Sequence, residues 1–481
     1  GGLMPINSFL YPGAKTTPAY EVANSLRFDS ASNDYLNRSL SSGTGTTFTV
    51  SAWVKRSDNS KYVVLLSSGA NSSNDLDEIV IQTDGTFRAF SYTSGYTFHL
   101  TSNAVFRDVS AWYHFMFVYD STNSTSGDRA RMYVNGSEIT SFSAEVQPSQ
   151  STVSNYFNKN REHYISGNLG STDTGTHYIA EYCFIDGQAL TPTSFGEFDE
   201  DSPNIWKPKS VLGLNFGTNG FYLDFENASS LGADVSGNSN NFTVNNLTSA
   251  DQSTDTCTNN FATMNSLAVP PSNAPTFAEG NTKVSTNSSN ANPVISTIGV
   301  SQGKWYVEAK RISQDSGSSD DGFRIGFGVT YDDNVNVVPS AVSDSGHYFM
   351  IGTGTVYNGS TDLGDKAGDS NISDDGVVGI ALDLDNNRIS WAFNGAWMTG
   401  SDAWSGSSPS SYVTIESGKT YFFIQTDGST GRGYTAGWNF GGASAFTISS
   451  GNSDANGYGN FEYAVPSGFY ALNSKNLAEF G

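Results

Sequence analysis

The sequence predicts an all-β protein made of two antiparallel β-sandwich (jelly-roll) domains joined by a polar connector. Three observations predict it. Aromatic residues make up 13% of the 481 residues, with 31 Phe, 24 Tyr and 8 Trp, and flat rings pack well across pleated strands. The 50 glycines, with abundant Ser, Thr and Asn, supply turns, whereas the helix builders Lys, Glu and Leu are scarce. Apolar residues recur at period two in two separate regions, and the length suits two sandwiches of roughly 200 residues each.

Residues 1–24 read as an N-terminal docking arm, with apolar spots between Met4 and Lys15 suited to another subunit. The first sandwich is expected over residues 25–212. Phe48, Val50, Ala52 and Val54 share one face, and Ala111–Asp120 is apolar on both, as a central strand should be. Arg129–Val134 turns Ala130, Met132 and Val134 inward and ends in Asn135-Gly136, which tolerates the positive φ angles of a tight hairpin. Ile179–Ile185 is a buried strand closed by Asp186-Gly187. Residues 213–274 change character. Phe216–Phe225 could add one strand, but Asn227–Ser266 is rich in Asn, Ser, Thr and Asp and cannot bury enough to fold alone, so it reads as a connector packed on its neighbours.

A second sandwich is expected over residues 275–450. Trp305, Val307 and Ala309 alternate, as do Phe323, Ile325, Phe327 and Val329. Val378–Asp383 leads through Asp385-Asn386-Asn387 into Ile389–Phe393, Asn394-Gly395 closes the next hairpin, and Tyr421–Gln425 and Trp438–Phe440 complete the set. Residues 451–481 form a C-terminal segment. Helical turns are expected only at Thr193–Glu200 and at Ser474–Phe480, capped by Asn473 or Ser474. Gly220-Phe221-Tyr222 after the first sandwich is echoed by Gly468-Phe469-Tyr470 after the second, and each could tuck an aromatic pair under the preceding module.

Formal net charge is −23, a surface that repels phosphate backbones and excludes nucleic acid as the expected partner. The acidity reads first as solubility and second as cation binding by Asp-rich loops. Two cysteines, Cys183 in an apolar run and Cys257 in the connector, form neither a disulfide framework nor a metal cluster. No stretch approaches the ~18 apolar residues of a membrane span. Gly1-Gly2-Leu3-Met4-Pro5 lacks a basic region followed by an apolar one, so the expectation is no signal peptide and release by another route, such as lysis inside an assembled particle.

A glycoside hydrolase needs two carboxylates at a set separation, which one strand supplies through a Glu-x-Asp-x-x-Glu pattern. No glutamate here satisfies it. Glu197-Phe198-Asp199 comes nearest, but has Ser202 in the third place and sits in an expected turn. The five histidines lack zinc-ligand spacing, and His114 reads as a hydrogen-bonded core residue. No Gly-x-Ser-x-Gly elbow occurs, and Gly418-Lys419-Thr420 lacks the first glycine of a phosphate loop, with Val413 in its place. Catalytic residues are therefore expected to be none.

Binding is the remaining class. Sugar sites set an aromatic face against the ring and hydrogen-bond its hydroxyls, and Tyr92, Tyr96, Tyr357 and Trp404 lie in loop-like context as candidate ligand-binding residues. Asp75, Asp77 and Glu78, and separately Asp332 and Asp333, are the candidate metal ligands, oxygen-rich groups of the kind Ca2+ takes.

Ser25–Asp29, Phe48–Val54, Trp112-Tyr113-His114, Arg131–Gly136 and Ile179–Glu181 with Asp186–Leu190 resemble, in that order, the laminin G-like, concanavalin A-like jelly-roll family. That resemblance implies binding of glycans or proteins, often with calcium. Gly303–Glu308, Arg324–Gly328, Val378–Asp383 and Trp391–Trp397 resemble a SPRY domain, which implies a recognition module without catalytic residues and a packing role for Trp397. The pairing of these modules, with Gly217–Phe225 and Gly468–Glu479, resembles virion structural proteins of marine bacteriophages. It implies a tail-fibre, receptor-binding or capsid-decorating protein on the virion exterior, partnered by other virion proteins through the arm and by host or environmental glycans. A tail fibre would be a homotrimer, although no coiled coil or β-helix is present to enforce one. The alternatives are a secreted or cell-surface lectin or adhesin of a marine bacterium and, less favoured, a polysaccharide-degrading enzyme.

Overall fold

A computed structural model describes residues 20–71, 75–169, 174–269, 274–286, 293–314, 325–331, 346–351, 354–366, 376–400, 404–427 and 433–481. Each sandwich sets two antiparallel sheets face to face.

In the first, one sheet runs in the order Ala130–Val134, Trp112–Asp120, Thr47–Arg56, His177–Asp186, Ser25–Phe28. The other runs Phe142–Val146, Tyr96–Val105, Thr86–Thr93, Asp75–Ile81, Val63–Asn71, Glu162–Ile165, Tyr35–Ser39. Period-two alternation aims Phe48, Val50, Ala52 and Val54 at Ile79, Ile81, Phe87, Ala89, Phe98 and Leu100 across the core. Phe48 alone meets four other rings, those of Phe117, Tyr119, Phe157 and Phe184, at 5.2–6.1 Å. In the second sandwich the larger sheet centres on Lys304–Gln314, Val377–Asp383, Arg388–Phe393 and Tyr434–Asn439. The smaller centres on Phe422–Asp427, Ile325–Thr330 and His347–Met350. Trp305, Trp391 and Trp438 are fully buried, and each indole N–H finds an acceptor: Gln302 O, Phe327 O and Gln425 Oε1 at 2.8, 2.8 and 3.1 Å.

The two Asn-Gly turns behave alike. Asn135 and Gly136 have φ of 48° and 76°, Asn394 and Gly395 49° and 78°, the left-handed pair that a two-residue hairpin requires. Each asparagine side chain also accepts a backbone N–H on the next strand, from His114 at 2.8 Å and from Val377 at 2.9 Å.

Residues 213–274, expected to connect, also supply strands to the first sandwich. Phe221–Leu223 pairs with His177–Asp186, Thr243–Asn245 with Tyr35–Ser39, and Gln252–Ser253 with Ser25–Phe28. Three short strands are possible in so polar a stretch because each borrows an existing sheet edge. Both Gly-Phe-Tyr segments reach a sheet: Phe221–Leu223 adds an antiparallel strand to the first sandwich, and Tyr470–Ala471 pairs parallel with Lys304–Gln314 of the second. Ser474–Phe480 is a helix capped by Asn473, whose side chain accepts the Asn476 N–H. The expected helical turn at Thr193–Glu200 is corrected. A 3-10 turn spans Pro192–Ser194, and Gly196–Phe198 then pairs as a strand with Trp206–Pro208, freeing Phe198 to pack its ring on Trp206 at 4.9 Å. Of the expected arm, residues 1–19 lie outside the described residues; Tyr20 donates its hydroxyl to Glu181 at 2.9 Å.

The sandwiches meet over the outer face of the first sheet. Lys55, only 1% exposed, donates to Asp255 Oδ2 at 2.7 Å, Asn260 Oδ1 at 2.7 Å and Phe261 O at 2.9 Å, so all three of its protons are used. Trp112 Nε1 and the Phe261 N–H donate to the other oxygen of Asp255, at 3.0 and 3.2 Å. Around this pair Tyr178 donates to Gly280 O at 2.9 Å, Asn281 Nδ2 to Ser57 O at 2.9 Å, and Arg27 Nη1 to Ser444 O at 3.0 Å.

Candidate ligand-binding surface

The hairpin formed by Thr86–Thr93 and Tyr96–Val105 carries the densest group of accessible rings among the tested positions. Alternation sends Phe87 and Ala89 into the core and leaves Arg88, Phe90 and Tyr92 on the outer face. Ser94, with φ of 60°, turns the chain so that Tyr96 comes back beside Tyr92. Their rings meet edge to face at 4.9 Å, and Tyr96 is 42% exposed.

The Tyr96 ring is held on several sides. It stacks on His99 at 4.3 Å and 21°, meets Phe90 edge-on at 6.2 Å, and accepts Arg88 Nη2 at its hydroxyl at 3.2 Å. The Arg88 guanidinium lies 4.1 Å over the Phe90 ring, so its position is set by stacking as well as by the hydrogen bond. Burial pushes the His99 imidazole down to about 4, keeping it neutral near pH 7, and its Nε2 lies 3.0 Å from the Thr101 hydroxyl. Asn155 Nδ2 donates to Thr97 Oγ1 at 3.0 Å beside this group. The arrangement offers an apolar platform edged by amide, hydroxyl and guanidinium groups, with each ring locked before any ligand arrives.

The other expected binding residues lie elsewhere. Tyr357 and Trp404 belong to the second sandwich, on opposite sheets. The Tyr357 ring stacks on Phe349 at 5.7 Å, and the Trp404 ring packs on Phe393 at 5.9 Å with its indole nitrogen buried. Of the four, the structure brings together Tyr92 and Tyr96.

The acidic triplet Asp75, Asp77 and Glu78 does not converge on a common point, a correction that strand geometry explains. Asp77 points inward, fully buried, and its Oδ2 accepts the N–H groups of Tyr156 and Phe157 at 2.7 and 2.9 Å as well as the Ser154 hydroxyl. Glu78 points to the opposite face, where Asn168 Nδ2 lies 3.5 Å away. Among the described residues no group of three or more His, Cys, Asp or Glu is placed to hold a metal ion. Asp332 and Asp333 lie outside the described residues.

The carboxylates weighed for catalysis are also placed. Glu197 and Asp199 pair with Lys207 at 3.7 and 3.3 Å on the small two-stranded sheet. His114, read as a core residue, is fully buried between the Ser51 hydroxyl at 2.8 Å and Trp206 Nε1 at 3.1 Å. Two other carboxyls are pushed up to about 7 by burial. Glu181 accepts the hydroxyls of Tyr20 and Tyr222; Glu308 accepts the N–H groups of Glu462 and Tyr463, the Tyr306 hydroxyl and Asn439 Nδ2. Arg88, Phe90 and His99 were missed from sequence. Their signal was the alternation Arg88-x-Phe90-x-Tyr92, which marks one face of one strand.

Residues 29–173 match a laminin G family model described as the concanavalin A-like lectin/glucanases superfamily. No curated protein matches the chain. The SPRY domain of human HERC1 is similar at 12% identity over 36% of this chain and 96% of that one, with a TM-score of 0.27. Domains LG4-5 of the mouse laminin alpha1 chain are similar at 14% identity over 88% and 89%, with a TM-score of 0.30. The heptameric SAP-like pentraxin of Limulus polyphemus is similar at 16% identity over 36% and 80%, with a TM-score of 0.25.

Proposed function

We propose that this chain is a non-enzymatic adhesion protein of a bacteriophage virion exterior, as tail fibre, receptor-binding protein or capsid decoration, and that it holds glycans on the Tyr92–Tyr96 platform. One observation carries the glycan reading: an exposed Tyr96 ring is fixed in place by His99, Phe90, Arg88 and Tyr92 and edged by polar groups. A sugar ring has an apolar C–H face and a rim of hydroxyls, which this platform complements. The match of residues 29–173 to a lectin/glucanase family model supports the same class of ligand. The non-enzymatic part rests on the sequence, in which no glutamate satisfies the Glu-x-Asp-x-x-Glu pattern. The virion part rests on the resemblance of the paired modules.

The test is a glycan array probed with the full chain and with Tyr96→Ala, Tyr92→Ala and, as a control, Tyr357→Ala. Binding lost with the first two and kept with the third is expected; retention by Tyr96→Ala overturns the site. Finding the chain in purified particles would support the virion reading, and finding it only on a bacterial cell surface would replace it with an adhesin.

A further inference from the structure

A cleft of about 550 Å³ opens where the two sandwiches meet, within the size range of small-molecule sites. Five stretches far apart in sequence line it: Arg27 to Asp34 of the first sandwich, the turn through Asn246–Gln252, Glu279, the loop Gly442–Ile448 of the second sandwich, and Asn460. Its charged lining is Asp34, Asp251 and Glu279 against Arg27 alone. Arg27 is already committed, to Asp251 at 3.1 Å, Glu279 at 2.6 Å and Ser444 O at 3.0 Å. The loop Gly442–Ile448 contributes no ionisable side chain.

Asp34 stands apart. It is 2% exposed, its Oδ2 accepts the Asp29 N–H at 2.9 Å, and its Oδ1 is buried without any hydrogen-bond partner. A buried carboxylate oxygen left unpaired is costly, and a ligand proton donor would remove that cost. The excess of negative charge selects a cation over a neutral donor. A bare metal ion is not suited, because among the described residues no three or more acidic, His or Cys side chains are grouped for one. An ammonium group needs only one carboxylate and a few neutral acceptors, and Thr248 and Ser249 are among the residues that line the cleft.

We propose that the cleft between the sandwiches is a second binding site, which takes a small primary amine with its ammonium on Asp34. The site is independent of the Tyr92–Tyr96 platform. The groups facing Asp34 are Asp29 on its own turn, Asp251 and Glu279 across the cleft, and the Arg27 guanidinium that those last two neutralise. Burial, then the charges of Asp251, Asp29 and Glu279, push the Asp34 carboxyl up to about 7 in the empty cleft, so amine binding strengthens as pH rises through that value.

The test is calorimetric titration of the full chain with 1,4-diaminobutane and with the uncharged 1,4-butanediol, at about pH 5.5 and about pH 8. Saturable binding of the diamine, roughly tenfold or more tighter at the higher pH, and none of the diol, is expected. Asp34→Asn, which keeps the shape and removes a buried charge, should weaken diamine binding by roughly tenfold or more while its thermal melt remains cooperative. Glu279→Gln, at the more exposed wall, should weaken it by a smaller factor. Equal binding of the diol, no binding of the diamine, or an Asp34→Asn variant with unchanged affinity would overturn the proposal.

Discussion

The two sheets of the first sandwich follow the same alternation and end with opposite outer faces. On the strand Thr47–Arg56 the outward residues Thr49, Ser51, Trp53 and Lys55 are all buried, under Gln188, His114, Trp206 and the stretch Asp255–Phe261. On Thr86–Thr93 the outward residues Arg88 and Tyr92 reach solvent, and Tyr96 joins them from the next strand. Period two decides which residues leave the core; what covers them decides whether they become an interface or a binding surface. The covered face had to satisfy a lysine and a carboxylate away from water, and did so by using every hydrogen-bonding group of the pair. The open face kept its rings rigid and free.

Breaking the covered face should have the largest effect. Lys55→Met leaves Asp255 buried without its cation and should cost about 3–5 kcal/mol in urea denaturation. Adding Asp255→Asn, which removes the stranded charge and keeps an acceptor for Trp112 and Phe261, should restore much of it. Gly280→Ala follows, because Gly280 has φ of 64° and an added Cβ would sit on the Tyr178 hydroxyl. Its cost should be about 2–4 kcal/mol, measured the same way.

Next comes pH. The carboxyls of Glu181 and Glu308 are raised to about 7 in the fold, so their contribution is present below about 4.5 and lost as pH rises to about 7. His114, His163 and His177 are buried neutral, lowered to about 3, 4 and 3, so theirs is present above about 6.5 and lost as pH falls. Three histidines outweigh two carboxyls, so melting temperature should climb modestly from about pH 4.5 to 6.5 and fall more steeply below that window. Glu181→Gln should gain on the parent as pH rises through the same range, and a constant difference would refute the assignment. The smallest effect on stability is expected at the open face: Tyr96→Ala should shift unfolding by about 1 kcal/mol or less while abolishing glycan binding.

Most strands were legible because their signal is local. Phe48–Val54, Ala130–Val134 and Val378–Asp383 carry their alternation within a few residues, and the two Asn-Gly turns announce themselves. Tyr92 and Tyr96 were legible only as aromatics in loop-like context; the turn that sets their rings together was seen in the structure. Asp77 and Glu78, adjacent along a strand, are parted because successive side chains point to opposite faces.

The sequence by itself therefore determined an all-β protein of two sandwiches and the inward set of the strands it read. All of these follow from side-chain period and turn chemistry over short stretches. Only the tertiary structure decided that residues 213–274 lend strands to the first sandwich, that Lys55 meets Asp255, and that Asp34 shares a cleft with Glu279 and the loop Gly442–Ile448. Those pairings join residues from about 40 to more than 200 positions apart, and no local propensity encodes which distant polar groups will satisfy one another once water is excluded.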